Sequence, residues 1–179
     1  MKKILIINGH PNARQSIANK YILEQVAKAL PQAEICTLSR EYPNGVFDIA
    51  REQQRLEQAD VIVFEYPLYW YALPWLLQKY LEDTLTFGFA YGTDDIKLKG
   101  KKVISSFTCG SGEEQYQPGQ SGETFADLPR PMQATCWLCG MEYAGTVITT
   151  GLEPPTLTPE LCSKLTLHAE KLVTLIKSL

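Results

Sequence analysis

The chain has 179 residues, of which 45% are hydrophobic and 21% are charged, and its formal net charge is −3. A chain of this length buries a core without disulfides or metal ions, so we predict one domain over residues 1–179. The slight negative charge lacks the basic excess that nucleic-acid binding requires, and no apolar run approaches the roughly 18 residues of a membrane span. Nucleic acid is therefore excluded as a partner.

The N-terminal apolar run, residues 4–7, is too short for a signal peptide and leads into Asn8-Gly9-His10 rather than a cleavage site. A cytoplasmic location is expected. Five cysteines, an odd number, are then expected to be reduced thiols. Cys136 and Cys139 have a CxxC spacing, but they close a predicted helix just before Gly140 and no second ligand pair exists. We interpret them as buried thiols and predict no metal site.

Apolar runs alternate with helical periodicity along the whole chain. Strands are predicted at residues 3–8, 33–38, 59–64, 102–108 and 144–150, and helices at 16–30, 48–57, 73–85, 130–139 and 158–178. This alternation predicts an α/β fold, a doubly wound sheet of five parallel strands in the order 2-1-3-4-5 with helices on both faces. His168 falls on the apolar face of the last helix and is interpreted as a packing residue.

The loop after the first strand ends at the predicted start of a helix. Unpaired N–H groups and the positive end of the helix dipole bind phosphate at such a position, and His10, Ser16 and Asn19 add polar side chains. Neither a GxGxxG fingerprint nor a P-loop lysine is present. Ser16 alone is equally compatible with a simple helix cap.

Aromatic residues dominate the segment after the third strand, residues 66–75, in which Tyr69, Trp70 and Tyr71 lie between two prolines. Aromatic clusters most often fill a core, but the prolines favour a shaped loop at the carboxyl end of the sheet, where ligands bind. Thr108-Cys109-Gly110-Ser111-Gly112 follows the fourth strand at the same edge. Three loops therefore converge at this edge, one suited to phosphate, one aromatic and one rich in glycine. Together they predict a site for flavin mononucleotide (FMN).

Four ordered motifs resemble those of the flavodoxin-like NAD(P)H:quinone oxidoreductases, the family of DT-diaphorase. The closest likeness is to its short bacterial members, which include the ancillary oxidoreductase subunits of glutathione-gated potassium efflux systems. The motifs are His10-Pro11 with Ser16 and Asn19, Pro67–Pro74, Gly88–Gly92 ahead of Leu98–Lys102, and Thr108-Cys109-Gly110.

This resemblance implies a flavodoxin-like fold, bound FMN or FAD, NAD(P)H as the co-substrate and a quinone-like acceptor. It also implies a homodimer with the active site at the subunit interface, where Gly88–Gly92 would help to form the pocket wall. The implied phosphate-binding residues are His10, Ser16, Ile17, Ala18 and Asn19, and those for the flavin ring are Pro67, Leu68, Tyr69, Trp70, Tyr71, Thr108, Cys109, Gly110 and Ser111.

The chain departs from the family in the loop after the glycines. Tyr116 matches the family's catalytic tyrosine, whereas the relay histidine falls on Gln120 or Ser121, neither of which titrates near neutral pH. We predict hydride transfer from NAD(P)H through FMN to quinones. Tyr116 is expected to form a hydrogen bond to the flavin or to the substrate oxygen.

Two alternatives remain open. The first is a regulatory subunit that docks on a membrane potassium-efflux transporter, peripheral at the inner face of the membrane, for which the basic run Lys97–Lys102 offers a patch. The second is a one-electron shuttle like flavodoxin, which the weak negative charge does not favour.

Overall fold

The computed structural model describes residues 2–117, 119, 124–152 and 156–179. Its strands are β1 Ile4–Asn8, β2 Glu34–Thr37, β3 Val61–Pro67, β4 Lys102–Thr108 and β5 Glu142–Thr149. Its helices are α1 Ala18–Ala29, α2 Leu38–Glu41, α3 Ile49–Gln58, α4 Trp75–Thr84, α5 Arg130–Leu138 and α6 Pro159–Ser178, with a 3-10 helix at Glu113–Tyr116.

All strand pairs are parallel, and the order is β2-β1-β3-β4-β5. The predicted α/β fold and strand order are thus confirmed. Every residue of β1 and β3 is buried, which explains why these strands read as continuous apolar runs rather than as alternating patterns. The carboxyl ends of β1, β3 and β4 consequently lie side by side in the middle of one edge of the sheet.

Each face of the sheet carries its own layer of helices. Alternate strand residues such as Ile4 and Ile6 pack with α1 and α6, whereas Leu5 and Ile7 pack with the layer that contains α3, α4 and α5. Each fully buried Leu or Ile contributes roughly 1.5–3 kcal/mol through the removal of apolar surface from water. The two layers hold the sheet rigid beneath the loops at its carboxyl edge.

Helix ends follow the chemistry expected from the sequence. Asp48 Oδ1 accepts the Arg51 N–H at 3.1 Å, as predicted for the start of α3, and Thr158 Oγ1 accepts the Leu161 N–H at 3.1 Å. At the end of α5, Gly140 adopts φ +64° and the Met141 N–H returns to the Cys136 carbonyl at 2.9 Å. This is a Schellman-type ending that needs glycine.

Several boundaries differ from the predictions. Helix α1 begins at Ala18 rather than at Ser16, and β3 continues to Pro67 instead of ending at Phe64. The extension arises because β3 lies between two partner strands, and its ladder with β4 runs as far as the pair Pro67 and Thr108. Neither the four-residue α2 nor the 3-10 helix has enough turns to show a periodic pattern, so the sequence did not indicate them.

Helix α6 is the longest, with 20 residues. Its buried positions recur at helical spacing and include Leu165, His168 and Leu172, while lysines and glutamates occupy the opposite face. Neither α6 nor any other helix in the described ranges combines the length and the apolar character needed to cross a bilayer.

Candidate functional site

A cavity of about 410 Å³ lies at the carboxyl ends of β1, β3 and β4. Its lining includes ten of the predicted site residues: His10, Ile17, Ala18, Asn19, Pro67, Leu68, Tyr69, Thr108, Cys109 and Gly110. Five other predicted residues, Ser16, Trp70, Tyr71, Ser111 and Tyr116, are not part of the lining. The three predicted loops therefore line one cavity, although some of the predicted side chains lie outside its lining.

The first turn of α1 forms one end of the cavity. The N–H groups of Ile17, Ala18 and Asn19 have no hydrogen-bond acceptor among the residues that the structure describes, so the positive end of the helix is open to a ligand. Ser16 is buried behind this turn, where its Oγ accepts the Lys20 N–H at 3.2 Å. Ser16 thus supports the helix start, and three backbone donors are left for an anion.

His10 stands beside this turn with a defined tautomer. Its Nδ1 accepts the Asn12 N–H at 3.0 Å, which leaves the ring proton of the neutral imidazole on Nε2. Partial burial lowers the pKa of His10 below its ordinary value, so the ring is neutral at pH 7. The arrangement gives the cavity a neutral donor rather than a cation.

The aromatic segment forms a tight two-residue turn. Tyr69 and Ala72 exchange backbone hydrogen bonds of 3.1 and 3.0 Å, and the residues between them, Trp70 and Tyr71, adopt φ values of +51° and +64°. Two bulky residues in the left-handed region cost roughly 1–2 kcal/mol each. The turn leaves the Trp70 indole 95% exposed, so the strained backbone at this position gains little from burial against the described residues.

The glycine segment after β4 is tied to the loop after β5. Cys109 N–H donates to the Thr149 carbonyl at 2.8 Å, and the Leu152 N–H donates to the Gly110 carbonyl at 2.9 Å. Leu152 thereby enters the lining, together with Gln15 and Leu161, which the sequence did not indicate. Burial raises the pKa of Cys109 to about 11, so its thiol stays protonated and is not a nucleophile at neutral pH.

Tyr116 lies next to the cavity and not inside it. Its ring is only 7% exposed, stacks on Phe125 with centroids 4.9 Å apart and meets the edge of Tyr71 at 6.2 Å. Burial, with a contribution from the nearby Cys109, raises the pKa of Tyr116, which therefore remains a phenol at neutral pH. Gln120 and Ser121, where the relay histidine was expected, lie outside the described residues.

A chain of buried polar side chains behind the cavity was missed by the sequence analysis. Glu65 Oε1 accepts the Asn19 amide at 2.6 Å, and its Oε2 lies 3.8 Å from His168 Nε2. The ring of His168 also bonds Ser106 at 2.7 Å and Thr149 at 2.8 Å. His168 is buried as predicted, but it has polar partners as well as apolar neighbours. A glutamate within the apolar run of β3 is the signal that could have revealed this network.

The remaining thiols have structural surroundings. Cys136 and Cys139 are free and buried, as the sequence analysis predicted, and burial raises the pKa of Cys136 to about 12. Elsewhere, Cys36, Glu41 and Glu52 place their ligand atoms within 4.8 Å of one another. The guanidinium of Arg55 already bonds this group, with distances of 3.0 Å to Glu41 and 2.7 Å to Glu52. The cluster is therefore an ion-pair network around an arginine.

The sheet order and the cavity at its carboxyl edge define a flavodoxin-like architecture. A family model described as "Flavodoxin-like fold" matches residues 2–171, and the chain belongs to this family.

Among curated relatives, general stress protein 14 of Bacillus subtilis is 39% identical over 79% of this chain and 81% of its own length. The glutathione-regulated potassium-efflux system ancillary protein KefF of Enterobacter is 42% identical over 78% of each chain. A Bacillus subtilis protein named as an NAD(P)H oxidoreductase, YrkL, is 39% identical over 79% of this chain and 81% of its own.

Solved structures give the same fold. A general stress protein 14 from Treponema denticola in complex with FMN is 29% identical, with a TM-score of 0.87 and 98% of each chain covered. A structure described as a thermophilic tryptophan halogenase is 33% identical, with a TM-score of 0.85 over 94% of this chain and 96% of that one. The names of these neighbours thus span more than one activity, whereas the architecture is common to them.

Proposed function

We propose that this protein is an FMN-dependent NAD(P)H oxidoreductase that reduces quinones or similar two-electron acceptors. The observation that carries the proposal is the cavity itself, which joins an anion-binding helix start to a slot between an aromatic loop and a glycine loop. An anion and a flat ring system in one ligand match these two halves. Relatives named as an NAD(P)H oxidoreductase and a neighbour in complex with FMN support the choice of ligand.

The residues present fit FMN. Three N–H groups at the start of α1 have no acceptor among the described residues, and together with the Nε2–H of His10 they can hold a phosphate dianion without a positively charged side chain. Pro67, Leu68 and Tyr69 lie beside Thr108, Cys109 and Gly110 in the lining of the cavity, and these residues would hold the flavin ring. Bound FMN would supply the hydride chemistry, while the protein binds and orients it. FAD remains an alternative cofactor for the same phosphate and ring subsites.

Polar groups at the ring subsite are neutral. The Cys109 thiol in the cavity lining and the Tyr116 phenol next to the cavity both keep their protons at pH 7, because burial raises their pKa values. The lining formed by the described residues therefore carries no carboxylate toward a ring that accepts electrons. We propose Tyr116 as the donor to the flavin or to the substrate oxygen, with NAD(P)H and acceptor using the same pocket in turn.

The exposed aromatic side chains support a homodimer. Trp70, Trp75 and Phe87 are 95%, 57% and 68% exposed, which is an unusual loss of apolar burial for three large side chains. A second copy of the chain would cover them and complete the open side of the cavity. In such a dimer, Trp70 and Tyr71 would contribute to the site although they do not line the cavity of one chain.

A second candidate function is that of an ancillary subunit of a potassium-efflux system, which the 42% identity to KefF of Enterobacter favours. The basic run gives this candidate little independent support. Lys97 pairs with Asp95 at 2.6 Å, Lys102 pairs with Glu142, and Lys101 donates to the Ala59 carbonyl at 2.7 Å. Charges that are already paired are weak docking determinants.

The proposed function is tested with the purified full-length chain. We expect it to bind FMN, with quenching of flavin fluorescence, to oxidise NADH or NADPH only when a quinone is present, and to sediment at twice 20.1 kDa. Mass spectrometry of the released cofactor distinguishes FMN from FAD. A protein that binds neither flavin would overturn the proposal. Flavin binding with negligible turnover of every acceptor would instead favour the ancillary role.

A further inference from the structure

The carboxyl group of Glu65 is the most unusual polar group behind the cavity. It is 0% exposed, and only one of its oxygens has a hydrogen-bond partner among the described residues, the Asn19 amide at 2.6 Å. Its other oxygen faces the His168 ring at 3.8 Å. A buried carboxylate normally has a cation or several donors around it, because the unpaired ion is costly in a medium of low polarity.

Among the described residues, neither a lysine nor an arginine forms an ion pair with Glu65. Helix α1 contributes Asn19, β1 contributes Asn8, and β4 contributes Ser106, all of which are neutral. Helix α6 contributes His168, and burial together with the charge of Lys171 lowers the pKa of His168 to about 4, so this ring is neutral as well. The remaining histidine near the site, His10, is also neutral at pH 7 because burial lowers its pKa.

The carboxyl group is connected to the cavity through one side chain. Asn19 lines the anion-binding end of the cavity, and its Nδ2 donates to Glu65 while its Oδ1 accepts from Thr108 at 3.4 Å. A charge on Glu65 would therefore lie one residue behind the place where a phosphate is held. Burial raises the pKa of Glu65 to about 8, although hydrogen bonding from the side chains of Ser106 and Asn19 partly opposes this rise.

We propose that Glu65 is a positioning residue that stays protonated behind the anion-binding end of the cavity, and that the cavity holds FMN tightly only while Glu65 keeps this proton. This inference rests on the proposed FMN function. In the neutral acid, the carbonyl oxygen accepts the Asn19 amide and no negative charge opposes the phosphate. Loss of the proton creates a buried carboxylate that repels the phosphate across Asn19.

The proposal predicts a specific pH dependence. If only the protonated protein binds well, the apparent Kd for FMN rises roughly tenfold from pH 7 to pH 9, because the competent fraction falls to about one tenth. Binding at pH 8 then takes up about half a proton from solution, since about half of the free protein has lost it. Both quantities are measured by calorimetry in two buffers of different ionisation enthalpy.

Glu65→Gln keeps the shape and the acceptor for Asn19 but cannot ionise. We expect this variant to bind FMN at pH 7 like the unmodified protein, with no proton uptake and no tenfold weakening at pH 9. Glu24→Gln is the matched control, because it removes a half-exposed carboxylate from the same helix that carries Asn19. It should retain the full pH dependence, and ionisation of FMN itself affects all three proteins equally.

Unchanged FMN affinity of the native protein from pH 7 to pH 9, or an identical pH profile in Glu65→Gln, would overturn the proposal. A measurement on the cofactor-free native protein separates this failure from that of the proposed function. Infrared spectroscopy should show the carbonyl band of a protonated carboxylic acid at pH 7 and its loss around pH 8; absence of the band at pH 7 contradicts the inference. If FMN does not bind at any pH, the proposed function fails, and inorganic phosphate replaces FMN in the same titration.

Discussion

Two buried glutamates in this protein have opposite surroundings. Glu52 accepts hydrogen bonds from Tyr42 at 2.6 Å and Tyr80 at 3.2 Å and pairs with Arg55, so its charge is compensated on every side. Glu65 has one amide donor and no cation among the described residues. Burial is complete at both positions, but among the described residues only Glu52 has a guanidinium beside it. Only the uncompensated one lies behind the cavity.

His10 is the side chain from which we expect the largest single effect on FMN binding. Replacement of His10 by alanine removes the Nε2–H donor at the anion-binding end, and a hydrogen bond to a charged group contributes about 1.5–3 kcal/mol. The Kd for FMN should therefore rise roughly 10- to 100-fold. Fluorescence titration of cofactor-free protein measures it.

Asn12→Ala is the control for this substitution. Asn12 contacts His10 through its backbone N–H, which alanine retains. The His10 ring should therefore keep its tautomer, and the affinity for FMN should not change. An unchanged Kd in His10→Ala would show that the backbone donors of α1 suffice for the phosphate.

At the level of single elements, the aromatic turn after β3 combines strain with exposure. A two-residue turn of this geometry is normally built from asparagine and glycine, which tolerate positive φ. Trp70 and Tyr71 occupy both positions here. Because the indole of Trp70 is 95% exposed, burial of this side chain does not offset the strain at its position in the described part of the chain.

We expect Trp70→Asn to raise the free energy of unfolding of the cofactor-free monomer by about 1 kcal/mol, because asparagine relieves the left-handed strain and little packing is lost. Urea denaturation at low protein concentration measures this change. The same variant should lower turnover if the indole completes the site in the dimer.

Trp137→Asn is the comparison for this variant, since Trp137 is 83% exposed but lies in the ordinary helical region within α5. It should show no gain in stability. A clear loss of stability in Trp70→Asn would show that the indole is packed in solution.

Across the whole molecule, Glu65 and His168 give the stability a defined pH dependence. The pKa of Glu65 is raised from 4.5 to about 8, so over this interval the folded chain keeps a proton that the unfolded chain has lost, and the free energy of unfolding falls as the pH rises. The pKa of His168 is lowered from 6.5 to about 4, so its effect is the reverse, and stability is lost as the pH falls below 6.5. Of these two effects, that of Glu65 dominates from pH 6.5 to 8.

We therefore expect the free energy of unfolding of the cofactor-free protein to fall by roughly 1.5 kcal/mol from pH 6.5 to pH 8, because a difference of one bound proton changes it by about 1.4 kcal/mol per pH unit and this difference shrinks to about one half at pH 8. Urea denaturation at the two pH values measures the difference. Glu65→Gln should reduce it to the small contribution of other groups, and an equal fall in both proteins would contradict a protonated Glu65.

Much of the architecture could be read from local patterns. The alternation of strand runs and helical periodicity, from the apolar β1 to the Thr158 cap of α6, predicted the sheet and its order, and the loops after β1, β3 and β4 were correctly expected to meet. These features depend on residues close in sequence and on general rules for parallel crossovers. The same locality explains why short elements such as α2 and the end of β3 were missed.

The sequence by itself determined the doubly wound sheet and the edge at which a ligand is expected to bind. The reason is that hydrophobic periodicity, turn residues and helix caps depend on residues only a few positions apart. Only the tertiary structure decided that Tyr116 is buried, that Leu152 and Leu161 complete the wall, and that Glu65 has no charged partner among the described residues. Such properties arise from contacts like that between Ser106 and His168, 62 positions apart, which exist only once the helices have packed on the sheet.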